Sequence, residues 1–281
     1  MLENSSYYHN TMTAKLVGIL NITPDSFSDG GQYNNINSAL QHTQTLISEG
    51  ADIIDIGAES TRPKAKLLSP QLEWQRLKPL LPQIIKLCHQ CNIPVSLDTR
   101  HAINAKKGLD LGIDIINDVS GLSDMAMIQL IKSYHKPIII NHNLGLPANP
   151  NVTISENENP INIIMQWGKN KISALETQHH ITKQNIIFDV GIGFGKTARQ
   201  SLQILANIKT FKKLAVPIYV GHSRKSFLNL YKPTNTLSKD ILTAYFATQI
   251  TPYVDYIRVH NIAMTKTFIQ YFSTISIDPV N

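Results

Sequence analysis

The residues of this sequence that could do chemistry stand directly after short apolar runs. Eight such runs, rich in β-branched residues, are each followed by polar or charged side chains. The candidate group combines two carboxylates, two amides and four groups that are or can become cationic: Asp98, Asp189, Asn21, Asn117, Arg62, Lys225, Arg258 and His260. Singly, most have ordinary explanations, because an aspartate at a strand end is usually a helix N-cap and an isolated histidine usually lies satisfied in the interior. Their shared position favours one site instead.

The combined chemistry of these groups indicates a ligand with two different ends. A purely anionic ligand would not suit the carboxylates, and a cationic ligand would not suit the arginines. We expect one end to be rich in N–H donors, such as an amino-substituted heterocycle bound by a buried carboxylate. The other end should carry phosphates, which guanidinium groups and helix N-termini bind well. Asn21 could then be a ligand of Mg²⁺, which keeps several waters and takes neutral oxygens.

The apolar runs have the length and composition of buried strands, and segments with helical spacing separate them. They cover residues 15–20, 52–57, 93–98, 112–117, 136–141, 185–190, 216–221 and 255–259. Strands buried on both faces that alternate with helices imply a parallel sheet with right-handed crossovers. Gly50, Gly108 and Gly112 stand where we expect helices to end.

Eight β/α units in about 260 residues fit a closed (β/α)₈ TIM barrel. An open doubly wound sheet is the alternative, but it more often has about six strands and a single glycine-rich turn. We therefore predict the α/β class, with a flexible tail over residues 1–14 and one barrel domain over residues 15–281. Because active sites of such barrels gather at the C-terminal ends of the strands, the candidate residues should meet on one rim.

Two local patterns resemble known motifs without matching them. The segment "GIGFGKT" (191–197) resembles a Walker loop, but G-x-x-x-x-G-K-[ST] requires glycine at position 190, where Val190 stands. Its glycines could equally let the backbone approach a ligand or a neighbouring segment. His142 and His260 do not make a convincing metal site, because no third ligand stands at motif spacing.

Charge and cysteine content limit the partners and the compartment. The formal net charge is +6, from 26 Lys+Arg and 20 Asp+Glu, without any run of five like charges. A nucleic-acid surface is therefore not indicated, whereas an anionic small substrate is consistent with the charge. Cys88 and Cys91 form C-x-x-C at the expected C-terminal end of a helix, so we interpret them as structural thiols. Few cysteines and no apolar run of membrane-spanning length predict a cytoplasmic protein without a membrane partner.

Six motifs, in this order, closely resemble those of the dihydropteroate synthases of folate biosynthesis. They are "ILNITPDSFSDGG", "ESTRP", "NDVSG", "GIGFGK", "SRKSF" and "RVH", across residues 19–260. The resemblance implies a (β/α)₈ barrel and a transferase that joins 6-hydroxymethyl-7,8-dihydropterin diphosphate to p-aminobenzoate and releases pyrophosphate, with Mg²⁺. It also implies a homodimer and a sulfonamide target.

The resemblance further implies which residues contact each part of the substrates. The pterin pocket would contain Asp98, Asn117, Asp189 and Lys225, with Phe194 along its wall. The diphosphate would lie against Arg62, Arg258, His260 and Asn21, the last of which would bind Mg²⁺. The p-aminobenzoate would contact Thr61, Pro63 and Ser223, with its carboxylate near the helix N-terminus that follows "GHS".

An arylamine is already a nucleophile at neutral pH, so departure of the diphosphate is the difficult step, and it is an electrostatic task. A dissociative route would need a closed, dry site. The segments "TPDSFSDGG" (23–31) and "STRPKAKLLS" (60–69) are our candidates for its lid.

Five positions depart from the expected family pattern: Val190 for proline, Asn143 for methionine, Asn261 for aspartate, Lys64 for glycine and His101 for lysine. None removes a residue with an implied chemical role, but Val190 and Asn143 leave the pocket shape open. A paralogue that binds pterin and turns over poorly therefore remains an alternative. A methyltetrahydrofolate methyltransferase-type barrel is a second alternative, although it would lack the "TPDSFSDGG" loop and the "SRK" cluster, both present here.

Overall fold

The computed structural model describes residues 14–22, 31–60 and 66–272, and only the backbone of residues 31–35. Within this part of the chain, eight parallel strands pair in chain order and close into a barrel. The strands are β1 (Lys15–Asn21), β2 (Ile53–Gly57), β3 (Val95–Asp98), β4 (Ile115–Asp118), β5 (Ile138–Asn141), β6 (Ile186–Asp189), β7 (Ile218–Val220) and β8 (Tyr256–Val259). The predicted α/β class and closed (β/α)₈ barrel are thus confirmed.

Helices follow the strands and cover the outside of the barrel. They are α1 (Gly31–Ser48), α2 (Pro70–Leu77), α3 (Leu81–Gln90), α4 (Ala102–Leu111), α5 (Met125–Tyr134), α6 (Pro160–Thr177), α7 (Ala198–Ala206), α8 (Thr236–Ile250) and α9 (Ile262–Phe272). Short 3₁₀ helices cover Lys183–Asn185, Ile208–Leu214, Ser226–Tyr231 and Thr251–Tyr253. None of the described helices is long and apolar enough to cross a membrane. The predicted tail lies outside the described residues, apart from Ala14.

The strands bury apolar side chains on both faces, as their composition predicts. The larger core lies between the sheet and the helices. A smaller cluster fills the inside of the barrel: Val17, Ile53, Ile115, Ile139, Ile187 and Tyr219. Because side chains alternate along a strand, residues two positions later also point inward, nearer the C-terminal ends. In four strands these residues are polar, namely Asp55, Asn117, Asn141 and Asp189. A polar layer therefore lies above an apolar floor.

Two of the three glycines expected at helix ends are found there. Gly112 caps the C-terminus of α4 with φ of 107°, and Gly50 follows α1 with φ of 94°. The prediction for Gly108 is wrong, because this residue lies inside α4. A Cβ at Gly108 would lie 2.6 Å from Leu97 Cδ2, so the glycine allows α4 to approach β3 closely.

Both cysteines lie at the C-terminal end of α3, as expected, and neither forms a disulfide. Cys88 is buried in the core, and burial raises the pKa of its thiol to about 12. Cys91 is exposed as the C-cap residue of α3. The structural interpretation therefore fits Cys88, whose thiol is inert at neutral pH.

Candidate active site

The structure places the described candidate residues at the C-terminal ends of the strands, as the barrel predicts. They lie at or just after the ends of six strands, all except β2 and β5, and Phe194 lies in the connection between β6 and α7. The residues at the strand ends are Asn21, Asp98, Asn117, Asp189, Ser223, Lys225, Arg258 and His260. Thr61, Arg62 and Pro63 lie outside the described residues, as does nearly all of the candidate lid segment 23–31.

Arg258 joins two carboxylates inside the barrel. Its Nε lies 2.6 Å from Asp55 Oδ2, and its Nη2 lies 3.0 Å from Asp98 Oδ2. Asn117 Nδ2 donates a further hydrogen bond of 3.2 Å to Asp55 Oδ2. Burial works against the charged guanidinium, but Asp55 and Asp98 outweigh it and raise the pKa of Arg258. The pterin-pocket residues Asp98 and Asn117 therefore share one network with Arg258, which the resemblance assigns to the diphosphate.

Asp98 and Asp55 both face the single guanidinium of Arg258, and the pKa of Asp98 is raised. Burial raises the pKa of Asp98 to about 8, against the lowering effect of Arg258 and with the support of the neighbouring Asp55 charge. The helix N-cap explanation does not apply, because α4 begins at Ala102 with His101 as its N-cap residue. A Cβ at Gly57 would lie 3.3 Å from Asp98 Cβ, so the glycine of β2 makes room for this side chain.

Asp189 is held on a neighbouring part of the rim by two donors. Asn141 Nδ2 donates to its Oδ2 at 3.0 Å, and the Gly191 backbone N–H donates to its Oδ1 at 2.8 Å. Burial raises the pKa of Asp189, while Lys225 lowers it. The Gly191 bond shows that Asp189 also begins a turn, the ordinary explanation for its position. Both explanations hold together, because the turn fixes the carboxylate.

Lys225 faces the loop that follows β6. Its Nζ donates to Ile192 O and lies 4.6 Å from the centre of the Phe194 ring. Burial lowers the pKa of Lys225 to about 8, although Asp189 raises it. The lysine and the aromatic ring assigned to one pocket by the resemblance are thus in contact.

Lys196 is a buried group that we did not predict. Its Nζ contacts three acceptors, His142 Nδ1 at 2.9 Å, His142 O at 3.1 Å and Phe194 O at 2.8 Å. Burial lowers its pKa well below the ordinary value. Gly191 has φ of 69°, and a Cβ there would lie 1.9 Å from His142 O. The glycine thus lets this loop approach the β5 end, in line with the neighbour interpretation of "GIGFGKT".

Asp55 and Asn141 are two further rim residues that the candidate set from the sequence does not contain, although Asn141 ends the fifth apolar run. Within the described residues, Asp55 Oδ1 and Asn141 Oδ1 are buried acceptors without a hydrogen-bond partner. Unpaired buried acceptors are costly and suit a ligand with N–H donors. The available signal for Asp55 was an acidic residue inside an apolar strand, two positions after Ile53, rather than directly after the strand.

Ser223 and His260 form a pair between the ends of β7 and β8. Ser223 Oγ lies 2.9 Å from His260 Nδ1 and accepts a hydrogen bond of 3.3 Å from the His260 backbone N–H. Ser223 is buried, whereas Ser226 is exposed at the start of the 3₁₀ helix. The helix expected after "GHS" is therefore a six-residue 3₁₀ helix, and the exposed hydroxyl at its start belongs to Ser226.

Of the two departures that left the pocket shape open, Val190 packs in the core and Asn143 bonds to backbone groups, among them Asn141 O at 3.4 Å. Val190 is fully buried in the core between sheet and helices. Asn143 Nδ2 donates to Val119 O at 2.8 Å, and its Oδ1 accepts from Gly145 N at 2.9 Å. Val190 therefore contributes to the core, and Asn143 stabilises the loop after β5.

No cluster of three His, Cys, Asp or Glu side chains that could hold a metal occurs within the described ranges. Asn21, the candidate Mg²⁺ ligand, ends β1 and is partly exposed. A single amide oxygen fits Mg²⁺ only if waters and substrate phosphates provide the remaining ligands, which is how this ion is usually bound.

Comparison with known proteins gives consistent results. A family model described as pterin binding enzyme matches residues 17–260. The dihydropteroate synthase of Clostridium beijerinckii is 35% identical over 255 residues, with 88% of each chain covered. The crystal structure of dihydropteroate synthase from Anaplasma phagocytophilum with bound 6-hydroxymethylpterin-monophosphate is 37% identical, with a TM-score of 0.81 over 92% of this chain and 97% of that one. The folate synthesis bifunctional protein of Chlamydia trachomatis is 36% identical over 88% of this chain, which spans only 56% of that protein.

Proposed function

The chain belongs to the dihydropteroate synthase family of pterin-binding enzymes, and we propose that it joins 6-hydroxymethyl-7,8-dihydropterin diphosphate to p-aminobenzoate, releasing pyrophosphate. The observation that carries this proposal is the rim itself, which combines acceptors for N–H donors with cationic groups. The relatives named dihydropteroate synthase favour this reaction over methyl transfer to a corrinoid protein.

The heterocycle would bind among the buried acceptors. Asp189, fixed by Asn141, would accept N–H donors of the pterin, and the unpaired Asn141 and Asp55 oxygens would gain partners. Asp98, whose pKa is raised to about 8, could accept or donate a hydrogen bond near neutral pH. Lys225 and Phe194 would form the facing wall.

The reaction breaks the C–O bond between the pterin methylene and the diphosphate and forms a C–N bond to the arylamine, which then loses one proton. Arg62, Arg258 and His260 would stabilise negative charge on the leaving diphosphate. The Asp98 and Asp189 carboxyls would favour positive charge that develops on the pterin as the C–O bond weakens. Mg²⁺ at Asn21, when bound, would neutralise further diphosphate charge. Thr61, Pro63 and one serine of the "SRKS" segment would hold the p-aminobenzoate.

We also propose that the protein works as a homodimer. Leu237, Ile241 and Tyr245 repeat every four residues along α8 and are 57%, 42% and 49% exposed. Exposed Tyr231 extends this apolar face, because its ring packs against Phe246 of α8 at 5.6 Å. Contiguous apolar surface of this kind usually marks an interface. Sedimentation should give a dimer for the parent and a monomer for Ile241→Glu.

Cytoplasmic location is a further proposal, supported by two unpaired cysteines, since reducing compartments keep thiols free. Fractionation of cells would test it.

The reaction is tested by measuring pyrophosphate release by purified protein with Mg²⁺ and the dihydropterin diphosphate, with and without p-aminobenzoate. Release that requires p-aminobenzoate and accompanies dihydropteroate formation is the expected result. Tight pterin binding without release would instead indicate a pterin-binding paralogue.

A further inference from the structure

Asp240 forms a two-point ion pair beside the rim without being part of it. Arg224 Nε lies 2.6 Å from Asp240 Oδ1, and Arg224 Nη2 lies 2.8 Å from Asp240 Oδ2. This two-point geometry fixes the guanidinium in orientation as well as distance. Asp240 lies on α8 and is 5% exposed, so water does not compete strongly for it. Neither sequence motifs nor the proposed chemistry gives this residue a role.

Arg224 stands between two candidate binding residues and has an unusual backbone. Its φ is 55°, in the left-handed region that costs a non-glycine residue about 1 kcal/mol or more. This conformation reverses the chain so that Ser223 points to His260 while Lys225 points to the Phe194 loop. A strained residue persists only where its surroundings hold it. Here α8 does so, through the Asp240 carboxylate and through Thr243 Oγ1, which accepts from Arg224 N at 3.2 Å.

The same carboxylate also reaches the end of β8. Asn261 Nδ2 donates to Asp240 Oδ2 at 3.3 Å. Asn261 directly follows His260, and its Oδ1 accepts from Met264 N at 2.9 Å at the start of α9. Asp240 therefore connects the segment after β7 with the segment after β8. These two segments also meet at the rim, where Ser223 pairs with His260.

We propose that Asp240 is a positioning residue for the reaction, acting through Arg224 and Asn261 on the rim segments that follow β7 and β8. The inference rests on the proposed function. In the part of the chain that the structure describes, the hydrogen bonds of the Asp240 side chain go to Arg224 and Asn261 rather than to a rim side chain. It keeps Lys225 and His260 in the orientations that the pterin and the leaving group require, and an error of about 1 Å in such groups can reduce turnover about 100-fold.

The first test compares Asp240→Asn with the parent. We expect kcat/KM for p-aminobenzoate to fall about 10-fold to 100-fold, and the Kd for 6-hydroxymethylpterin monophosphate to rise by a smaller factor, while the protein stays folded at the assay temperature. The control is Glu176→Gln, which removes a carboxylate from a partly exposed ion pair with Lys183, 3.3 Å long. Lys183 lies just before the N-terminal end of β6, at the opposite end of the barrel from the rim. It should leave both constants unchanged.

The second test moves the carboxylate across the network. In the double variant Asp240→Asn/Asn261→Asp, position 261 supplies the negative charge beside Arg224 and still caps α9, because aspartate and asparagine are equally good N-caps. We expect the double variant to recover most of the activity that Asp240→Asn loses. Such non-additive effects of two substitutions are expected for residues in one network and not for independent sites. A purely structural role predicts instead that activity follows the folded fraction in every variant.

Several results would overturn the proposal. These are kinetic constants of Asp240→Asn within about twofold of the parent, a double variant no better than the single one, or losses that match unfolding. If Asp240→Asn does not fold, Asn261→Ser removes only the amide donor and keeps a cap for α9, and unchanged kinetics would then count against us. Absence of p-aminobenzoate-dependent release by the parent would refute the proposed function alone, since the pterin Kd would still measure the effect of Asp240.

Discussion

Arg258 and Asp55 form a buried ion pair across the barrel, with Arg258 Nε 2.6 Å from Asp55 Oδ2. Asp55 is fully buried in the middle of β2, and the Arg258 side chain is 19% exposed. The pair therefore sits directly beneath the rim, where Asp98 competes for the same guanidinium. Burial is the main cause of the high pKa of Asp98, and the charge of Asp55 adds to it, against the lowering effect of Arg258.

Asp55→Asn should lower the pKa of Asp98 clearly below its value of about 8, because one acid would then face one base. NMR titration of the labelled Asp98 carboxyl would measure it. The variant should also lose roughly 3 kcal/mol of unfolding free energy, as expected when one partner of a buried pair is removed. Glu176→Gln, in a partly exposed pair, is the control and should lose less than about 1 kcal/mol. An unchanged Asp98 titration would mean that burial alone sets its pKa.

Ser226→Ala should raise the KM for p-aminobenzoate about 10-fold, because removing one hydrogen bond to the charged carboxylate costs about 1.5 kcal/mol or more. Ser223→Ala should instead change mainly kcat. The reason is exposure: Ser226 is exposed at the start of the 3₁₀ helix, while Ser223 is buried against His260. Steady-state kinetics with varied p-aminobenzoate separates the two effects. The opposite pattern would restore Ser223 as the p-aminobenzoate contact implied by the resemblance.

The fold followed from the sequence because its signals are local. Each predicted strand overlaps an observed one, since β-branched apolar runs and the intervening helical spacing are properties of short segments. The rim was predicted only in part. Asp55 and Asn141 belong to the polar layer, but Asp55 lies inside its run and Asn141 ends a run without a recognised motif. The burial of Lys196 depends on how the loop after β6 folds against β5. Such groups are recognised only when the register of neighbouring strands is known, as in the pairing of Asn141 with Asp189.

Arg100→Gln should lower kcat about 10-fold while changing pterin affinity little. Arg100 Nε lies 2.8 Å from Glu59 Oε2, and its Nη2 donates to Leu68 O at 3.2 Å. Leu68 N also donates to Glu59. Hydrogen bonds therefore connect Glu59 and Leu68, which lie before and after Arg62 in the chain. Loss of this connection should affect Arg62 but not the acceptors of the pterin. Turnover and pterin titration measure the two effects separately.

Arg62→Ala provides the comparison for that experiment. It should slow turnover by a large factor and leave pterin binding nearly intact, and Arg100→Gln should add little in the double variant if both act through Arg62. Full additivity would show that Arg100 acts independently, and an unchanged rate in Arg62→Ala would remove Arg62 from the mechanism.

His222 should make the protein less stable in acid. It is fully buried, with Nε2 2.9 Å from Thr243 O, and Nδ1 without a partner among the described residues. Burial lowers its pKa from 6.5 to about 4, the Thr243 carbonyl opposes this, and Lys225 adds to it. Between these values the unfolded chain binds more protons than the folded one, so stability falls as the pH drops. At about pH 5 the loss is roughly 2 kcal/mol.

In His222→Gln, the amide can still donate to Thr243 O. The free energy of unfolding in urea should then differ between pH 7 and pH 5 by about that amount less than in the parent. Exposed His180→Asn, which tolerates the φ of 58° there, should leave the difference unchanged. Equal pH dependence of parent and His222→Gln would show that His222 is not the group that titrates.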